Sequence, residues 1–268
     1  MIRCTKLTFM TTTTITKKLQ WKDLTRLTRR ETFIENTITL PWLTTSLVMA
    51  YYHQYFFAIP CSVLFFLTAL RQVHNGFHNS LGIGKKATWV SMYINSLLML
   101  TSAHAVKFNH LRHHKYCLGE QDYEGKCARM SWYRAILYGP THIYSIHKVA
   151  LSLGTKNYKR DVLIEIISIL LFITIVFITN INFLVYHCLA MIAGEMFSAF
   201  FAVWTVHHDL DEHVIARTQR TYWKNFITYN MFYHLEHHLF PAVPTIKLPE
   251  LAKRIDEFVP ELEKKDTF

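Results

Sequence analysis

The chain has 268 residues, 51% hydrophobic and 15% aromatic, with 29 Lys and Arg against 19 Asp and Glu. That length holds one domain or at most two small ones, and a formal charge of +10 raises the question of nucleic acid. The placement of the charge argues against it. No Lys or Arg lies between Arg30 and Arg71, or between Arg160 and Arg217, a clearing that suits a membrane protein with its basic regions on one side.

In chain order, residues 1–36 read as a basic, Thr-rich cytosolic arm or interfacial helix without a signal-peptide pattern. Residues 37–70 carry no formally charged side chain. At about 20 residues per crossing they predict two short spans, 37–53 and 54–72, turning near Tyr51–Tyr55 and holding Pro41 and Pro60 inside them. The tyrosines and His53 suit the far interface. Thr88–Val106 is apolar enough for a further crossing, but Lys85 and Lys86 precede it and Lys107 and Arg112 follow it, so a re-entrant or interfacial helix is expected.

Residues 117–160 begin with an acidic patch (Glu120, Asp122, Glu124) and continue rich in Trp, Tyr, Lys and Arg, as an interfacial amphipathic helix would. The second hairpin, 162–180 and 182–206, turns at Asn180–Asn182. Beyond Pro249 the composition reads as a charged helix, with 251–268 a solvated cytosolic tail. The expected fold class is an all-α membrane protein with four transmembrane helices in two hairpins. Interfacial or re-entrant helices and a cytosolic, histidine-rich cap complete it, so that 37–250 forms one membrane domain. The cysteines (Cys4, Cys61, Cys117, Cys127, Cys188) have no framework spacing and read as unpaired thiols.

Sixteen histidines are present, and ten of them are not scattered. His234, His237 and His238 recur at i, i+3, i+4, as do His110, His113 and His114, while His74 and His78 stand at i, i+4. On a helix each set forms one stripe. His207 and His208 end the last expected span. Lone histidines (His53, His142, His147, His187, His213) read as interfacial or hydrogen-bonded, and His104 as a weak candidate. Eight to ten imidazoles without paired thiols do not describe a closed zinc site; they suggest two ions, each with room for water or oxygen. Imidazole suits Fe, Cu, Ni and Zn alike, and iron is preferred because a dinuclear site in a membrane suits O2 activation against an inert substrate.

The motifs HNGFH (74–78), HLRHH (110–114) and HLEHH (234–238), with the following HHLFPAVPTIKLPEL, resemble the three histidine boxes of the integral-membrane fatty acid desaturase family over roughly residues 37–250. The resemblance implies four transmembrane helices, a cytosolic cap and two Fe ions held by His74, His78, His110, His113, His114, His234, His237 and His238. A further ligand falls on His207 or His208. Three residues inside the first box resemble the acyl-lipid desaturase and carotenoid hydroxylase or ketolase branch, and the nearest likeness is bacterial, placing the chain in a multi-pass inner membrane with termini and boxes cytosolic. His234 stands where front-end desaturases have Gln, and no HPGG haem motif is present.

Asn230, Asp209, Asp211, Glu212 and Glu236 lie beside ligand candidates and could orient imidazole N–H groups. Glu195 is a mid-span carboxyl, costly unless it has a role. Trp204, Phe197, Phe200 and Phe201 could line an acyl tunnel. The function expected is O2-dependent desaturation of a lipid acyl chain, with electrons from a ferredoxin or cytochrome b5 type donor docking on the basic face. Hydroxylation or ketolation of a lipid or carotenoid is the alternative. A metal transporter or sensor would spread ligands through the spans, whereas here they gather at one end.

Overall fold

The computed structural model describes residues 15–210 and 214–267, whose regular structure is helical apart from an isolated bridge between Thr218 and Asp266. Part of the expected arm, Asp211, Glu212 and His213 lie outside the described residues.

A capping box opens α1, Arg29–Thr37: the Thr28 hydroxyl accepts from Glu31 N–H while the Glu31 carboxylate accepts from Thr28 N–H at 2.8 Å. Pro41 then falls in the first turn of α2, Leu40–Tyr51, where its missing N–H has no partner to lose. The break before α2 shortens the expected first span. At 1.5 Å per residue its 12 residues reach about 18 Å, against a hydrocarbon thickness of about 30 Å. α3, Tyr55–Phe77, and α8, Lys156–Thr179, are long and apolar enough to cross. α9, Asn182–Met196, bends by 42° into α10, Ala199–His207, and makes a third if the pair counts as one span. The four expected spans are thus two clear ones and a broken one. On α8, Ile167, Leu170, Leu171, Ile175 and Ile178 are exposed, an outward apolar face of the kind that marks a membrane or partner contact.

α4, Lys85–Met99, has 15 residues and stops at Leu100 in the left-handed conformation before α5, Ala103–Tyr116, begins on the Ser102 cap. The α4–α5 turn is tied to α8 by Glu165, which accepts from Ser96 Oγ at 2.8 Å and His104 Nδ1 at 2.6 Å and also from Ser102 Oγ. That buried acid escaped notice in the apolar run, and it absorbs His104. α6, Trp132–Leu137, and α7, Gly139–Leu153, replace the single interfacial helix expected. Gly139 is required where α7 starts, because a Cβ there would collide with the Met196 carbonyl. Trp132, Tyr133, Leu137 and Tyr144 are exposed around them.

The last element corrects the sequence reading. α12, Leu248–Phe258, is no solvated tail: Leu248, Leu251, Ala252 and Ile255 sit in a core with Ile15, Leu24, Leu235, Phe240 and Val243. Arg254 also pairs with Asp23 at 2.8 Å. Residues 15–24 and α12 therefore close over the third stripe, on the short helix α11, His234–Leu239. Cys61, Cys127 and Cys188 are free thiols, whereas Cys117 is disulfide-bonded, a pairing that the irregular spacing did not signal.

Candidate metal centre

Each stripe occupies a helix end. His74 lies in the last turn of α3 and His78 caps it, the second stripe ends α5, and α11 is the third stripe itself. Their relative placement is fixed by a buried network behind them. Glu35 of α1 takes the Arg71 guanidinium and Asn75 Nδ2 (2.8 Å), Asn75 Oδ1 accepts from Thr245 N–H and Oγ1 (3.1 and 2.8 Å), and Arg71 Nη1 donates to the Tyr229 carbonyl at 2.8 Å. One carboxylate thus joins the first stripe to the segments flanking the third.

Two groups of four imidazoles result: His74, His78, His110 and His237, and His113, His207, His234 and His238, each with one ring nitrogen per residue within 4.8 Å of the others. In the second group the Nε2 atoms form a closed ring, His113–His207 3.0 Å, His207–His234 3.0 Å, His234–His238 3.1 Å and His238–His113 3.3 Å. A ring nitrogen presents either a proton or a lone pair, never both, so hydrogen bonds serve such a ring poorly. A central cation serves it well, since nitrogens spaced in this way stand about as far from their common centre as the roughly 2 Å of a metal–imidazole bond. His74 is buried with neither ring nitrogen paired, which also fits an ion. His114 stands against the first group, its Nε2 2.9 Å from that of His237 and 3.0 Å from that of His110, with its ring 4.5 Å from that of His238 in the second. Nine of the ten histidines are brought together. His208 is not: its ring stacks on Trp204 at 3.9 Å and its Nδ1 donates to the Trp204 carbonyl.

Two carboxylates back these imidazoles. Asp122 accepts from His113 Nδ1 at 2.7 Å and Glu124 from His110 Nδ1 at 3.0 Å. Donation from Nδ1 leaves Nε2 bare and aimed inward, the tautomer a metal requires. Both acids belonged to the acidic patch, and only their positions shortly after the second stripe hinted at the role. The acids expected there lie elsewhere. Asp209 is exposed in a left-handed turn. Asn230, also left-handed, accepts Tyr233 N–H through its carbonyl. Buried Glu236 accepts from Thr218 and Arg220, both at 2.6 Å, and so anchors α11.

Burial, reinforced by neighbouring imidazoles, pushes His110, His114, His234, His237 and His238 well below the ordinary histidine range. They are therefore neutral at pH 7 and open to a cation. Burial raises the Asp122 carboxyl, but the charge and hydrogen bond of His113, with the N–H groups of Gly125 and Leu118, outweigh it and hold Asp122 at about 2. His113 is raised correspondingly, Asp122 overcoming its burial. Burial pushes Glu124 up to about 8.

An apolar cavity lies close to the first group, linked to it through Glu124 and Phe77 and not lined by the stripe histidines themselves. It is lined by Phe66, Leu70, Val73 and Phe77 of α3 and reaches Glu124, and the Phe77 ring lies 5.5 Å from that of His110. The aromatic side chains expected to line a tunnel are placed otherwise. Phe197 and Phe201 are exposed, and Trp204 stacks on Phe200 and donates to the Met130 carbonyl at 2.7 Å.

Residues 56–266 match the family model described as fatty acid desaturase. Among curated proteins, the sphingolipid delta(4)-desaturase DES1 of Xenopus tropicalis is 26% identical over 214 residues, 72% of this chain and 62% of the relative. DES1 of Gallus gallus is 27% identical over 207 residues, 71% and 62%. The sphingolipid delta(4)-desaturase/C4-monooxygenase DES2 of Homo sapiens is 24% identical over 204 residues, again 71% and 62%. The matched region of this chain therefore spans 62% of the length of these relatives. With the family model covering most of the chain and all three stripes, the chain belongs to the fatty acid desaturase family.

Proposed function

We propose that the protein is a membrane lipid desaturase in which two Fe ions are held by the nine clustered histidines, His74, His78, His110, His113, His114, His207, His234, His237 and His238. The observation that carries this reading is the pair of four-imidazole groups, with an apolar cavity close beside the first of them. The names of the relatives favour a sphingolipid chain over the carotenoid considered from the sequence. Because those relatives are animal proteins, they lend no support to a bacterial membrane.

Bound iron would supply the oxidising power that an unactivated C–H bond demands. Overall, O2, two electrons and two protons convert a –CH2–CH2– unit to –CH=CH– with release of two waters. The residues of the chain hold and shield. Asp122 and Glu124 fix the His113 and His110 tautomers. Val73 and Phe77 keep water from the reacting carbons. Asn75, through Glu35 and Thr245, keeps the first stripe in register with the third. The electrons come from an external ferredoxin or cytochrome b5 type protein, for which exposed Lys115, Lys126 and Arg129 beside the second stripe offer a basic landing surface. In this arrangement α2, short for a full crossing, packs back along α3, α8 and the bent α9 form a hairpin, and the three stripes share one side of the bilayer.

A second reading has a specific basis: the name of the human relative includes C4-monooxygenase, so hydroxylation competes with desaturation at one site. Mass-spectrometric lipid profiling of cells with the intact gene, without it and with His237→Ala tests both. The expected result is a product two hydrogens lighter that needs O2 and His237. A product one oxygen heavier favours the second reading, and unchanged lipids contradict both.

A further inference from the structure

The cavity beside the first imidazole group is apolar but not wholly so. Four of its lining side chains are Asn95, Glu124, His142 and Glu195, between 4% and 8% exposed. Each has a buried polar atom without a partner: Asn95 Oδ1, Glu124 Oε2, His142 Nδ1 and Glu195 Oε1. Buried polar atoms are paired almost everywhere else in folded proteins, so four orphans on one cavity describe what is meant to enter it. Asn95 Nδ2 donates to the Ser91 carbonyl at 2.8 Å, which leaves its Oδ1 as an acceptor for the cavity. Glu124 already receives His110 Nδ1 on Oε1, so Oε2 is a second unpaired oxygen, at the metal end. Glu195 closes α9 just before the bend and brings a third unpaired oxygen to the same cavity.

A plain hydrocarbon chain would leave all of them unpaired. We propose that the cavity takes a lipid bearing a hydroxyl or amide group close to the carbons that react, and that Asn95 and Glu195 are the residues selecting it. The inference rests on the lipid-substrate reading above but concerns recognition and not turnover. It accounts for a mid-span carboxyl that the metal groups do not use, and it makes Glu195 a specificity residue, touching the polar part of the substrate while Phe66, Leu70 and Val73 hold its chain.

Binding is measured on the purified, metal-loaded full chain in lipid nanodiscs by native mass spectrometry. The probes are a ceramide with a saturated long-chain base, the same ceramide lacking one hydroxyl, and a phosphatidylcholine of matched chain length. The ceramide should bind roughly tenfold or more tightly than either comparison lipid, because the site's polar atoms go unpaired with the others. Asn95→Leu and Glu195→Leu should bring the three affinities together, while Glu195→Gln, which keeps shape and hydrogen bonding, should retain most of the preference; melting temperature and metal content show that each variant is folded. Three lipids binding alike, or a preference that survives both leucine variants, would overturn the proposal and leave the four atoms to ordered water. The two readings separate cleanly: selective binding without any desaturation defeats only the desaturase reading, and desaturation of phosphatidylcholine chains with no binding preference defeats only this one.

Discussion

Replacing Asp122 by asparagine changes one atom and reverses the logic of one ligand. The carboxylate, only 2% exposed, accepts from His113 Nδ1 and from the N–H groups of Leu118 (2.7 Å) and Gly125 (2.9 Å). An asparagine can still take Gly125 N–H on its oxygen, but its amide then points a donor at His113, whose neutral ring answers by moving its proton to Nε2. That is the nitrogen in the closed ring with His207 and His238, and a protonated Nε2 cannot bind a metal. Loss of such a backing carboxylate typically weakens metal binding about 10- to 100-fold. The fold suffers as well. A carboxyl held at about 2 instead of the ordinary 3.8 contributes about 2 kcal/mol at neutral pH. Because the folded value is the lower one, that stability is complete above about pH 4 and is lost as pH falls toward about 2. The assay is competition for iron against a chelator of known affinity, with thermal melts at pH 7 and pH 3. Asp122→Asn should release iron more readily and melt earlier at pH 7, the difference in melting shrinking at pH 3, while Asp209→Asn on the exposed turn changes neither. Unaltered iron affinity in folded Asp122→Asn protein would refute the reasoning.

His207→Ala should remove about half the bound metal while His208→Ala leaves metal content unchanged, measured by elemental analysis; the reverse pattern would mean the wrong histidine faces the site. Glu35→Gln leaves the Arg71 charge buried without a full partner and should lower stability by about 3–5 kcal/mol, read by thermal or denaturant unfolding. Ile255→Ala opens a cavity in the core beneath α11 and should cost about 2–5 kcal/mol, whereas a helix free in solvent would show almost nothing. Since burial holds His110, His114, His234, His237 and His238 well below 6.5, protons compete with metal only at correspondingly lower pH. Titration from pH 7 to pH 6 should therefore leave the first group's metal bound, whereas His113, raised by Asp122, lets protons compete first at the second group; release from the first group within that range would contradict the burial argument.

The stripes were legible because spacing is a local property: i, i+3, i+4 on a helix names a face whatever the rest of the chain does. The choice between His207 and His208 was not legible. Ala199–Trp204 is wound as a π-helix, whose wider turn changes the rotation at which each following side chain emerges, and nothing in the residue pattern announces that register shift. Asp122 and Glu124 reach the imidazoles through the irregular chain after α5, so their roles follow from tertiary folding and carry no periodic signal. α12 was a different kind of miss. Leu248, Leu251, Ala252 and Ile255 stand at i, i+3, i+4, i+7, an amphipathic face overlooked because the acidic and basic residues between them dominated the composition. The shortened first span has a local cause that could have been read, since Pro41 is far better tolerated in a first turn than in a helix interior.

The account depends on two metal ions sharing nine imidazoles. Its most direct test is the iron-to-protein ratio of purified, turnover-competent protein, with anomalous X-ray scattering at the iron edge to place the ions. Two irons per chain, one among His74, His78, His110 and His237 and the other among His113, His207, His234 and His238, are predicted. Active protein with no iron, or with iron lying away from both groups, would contradict it.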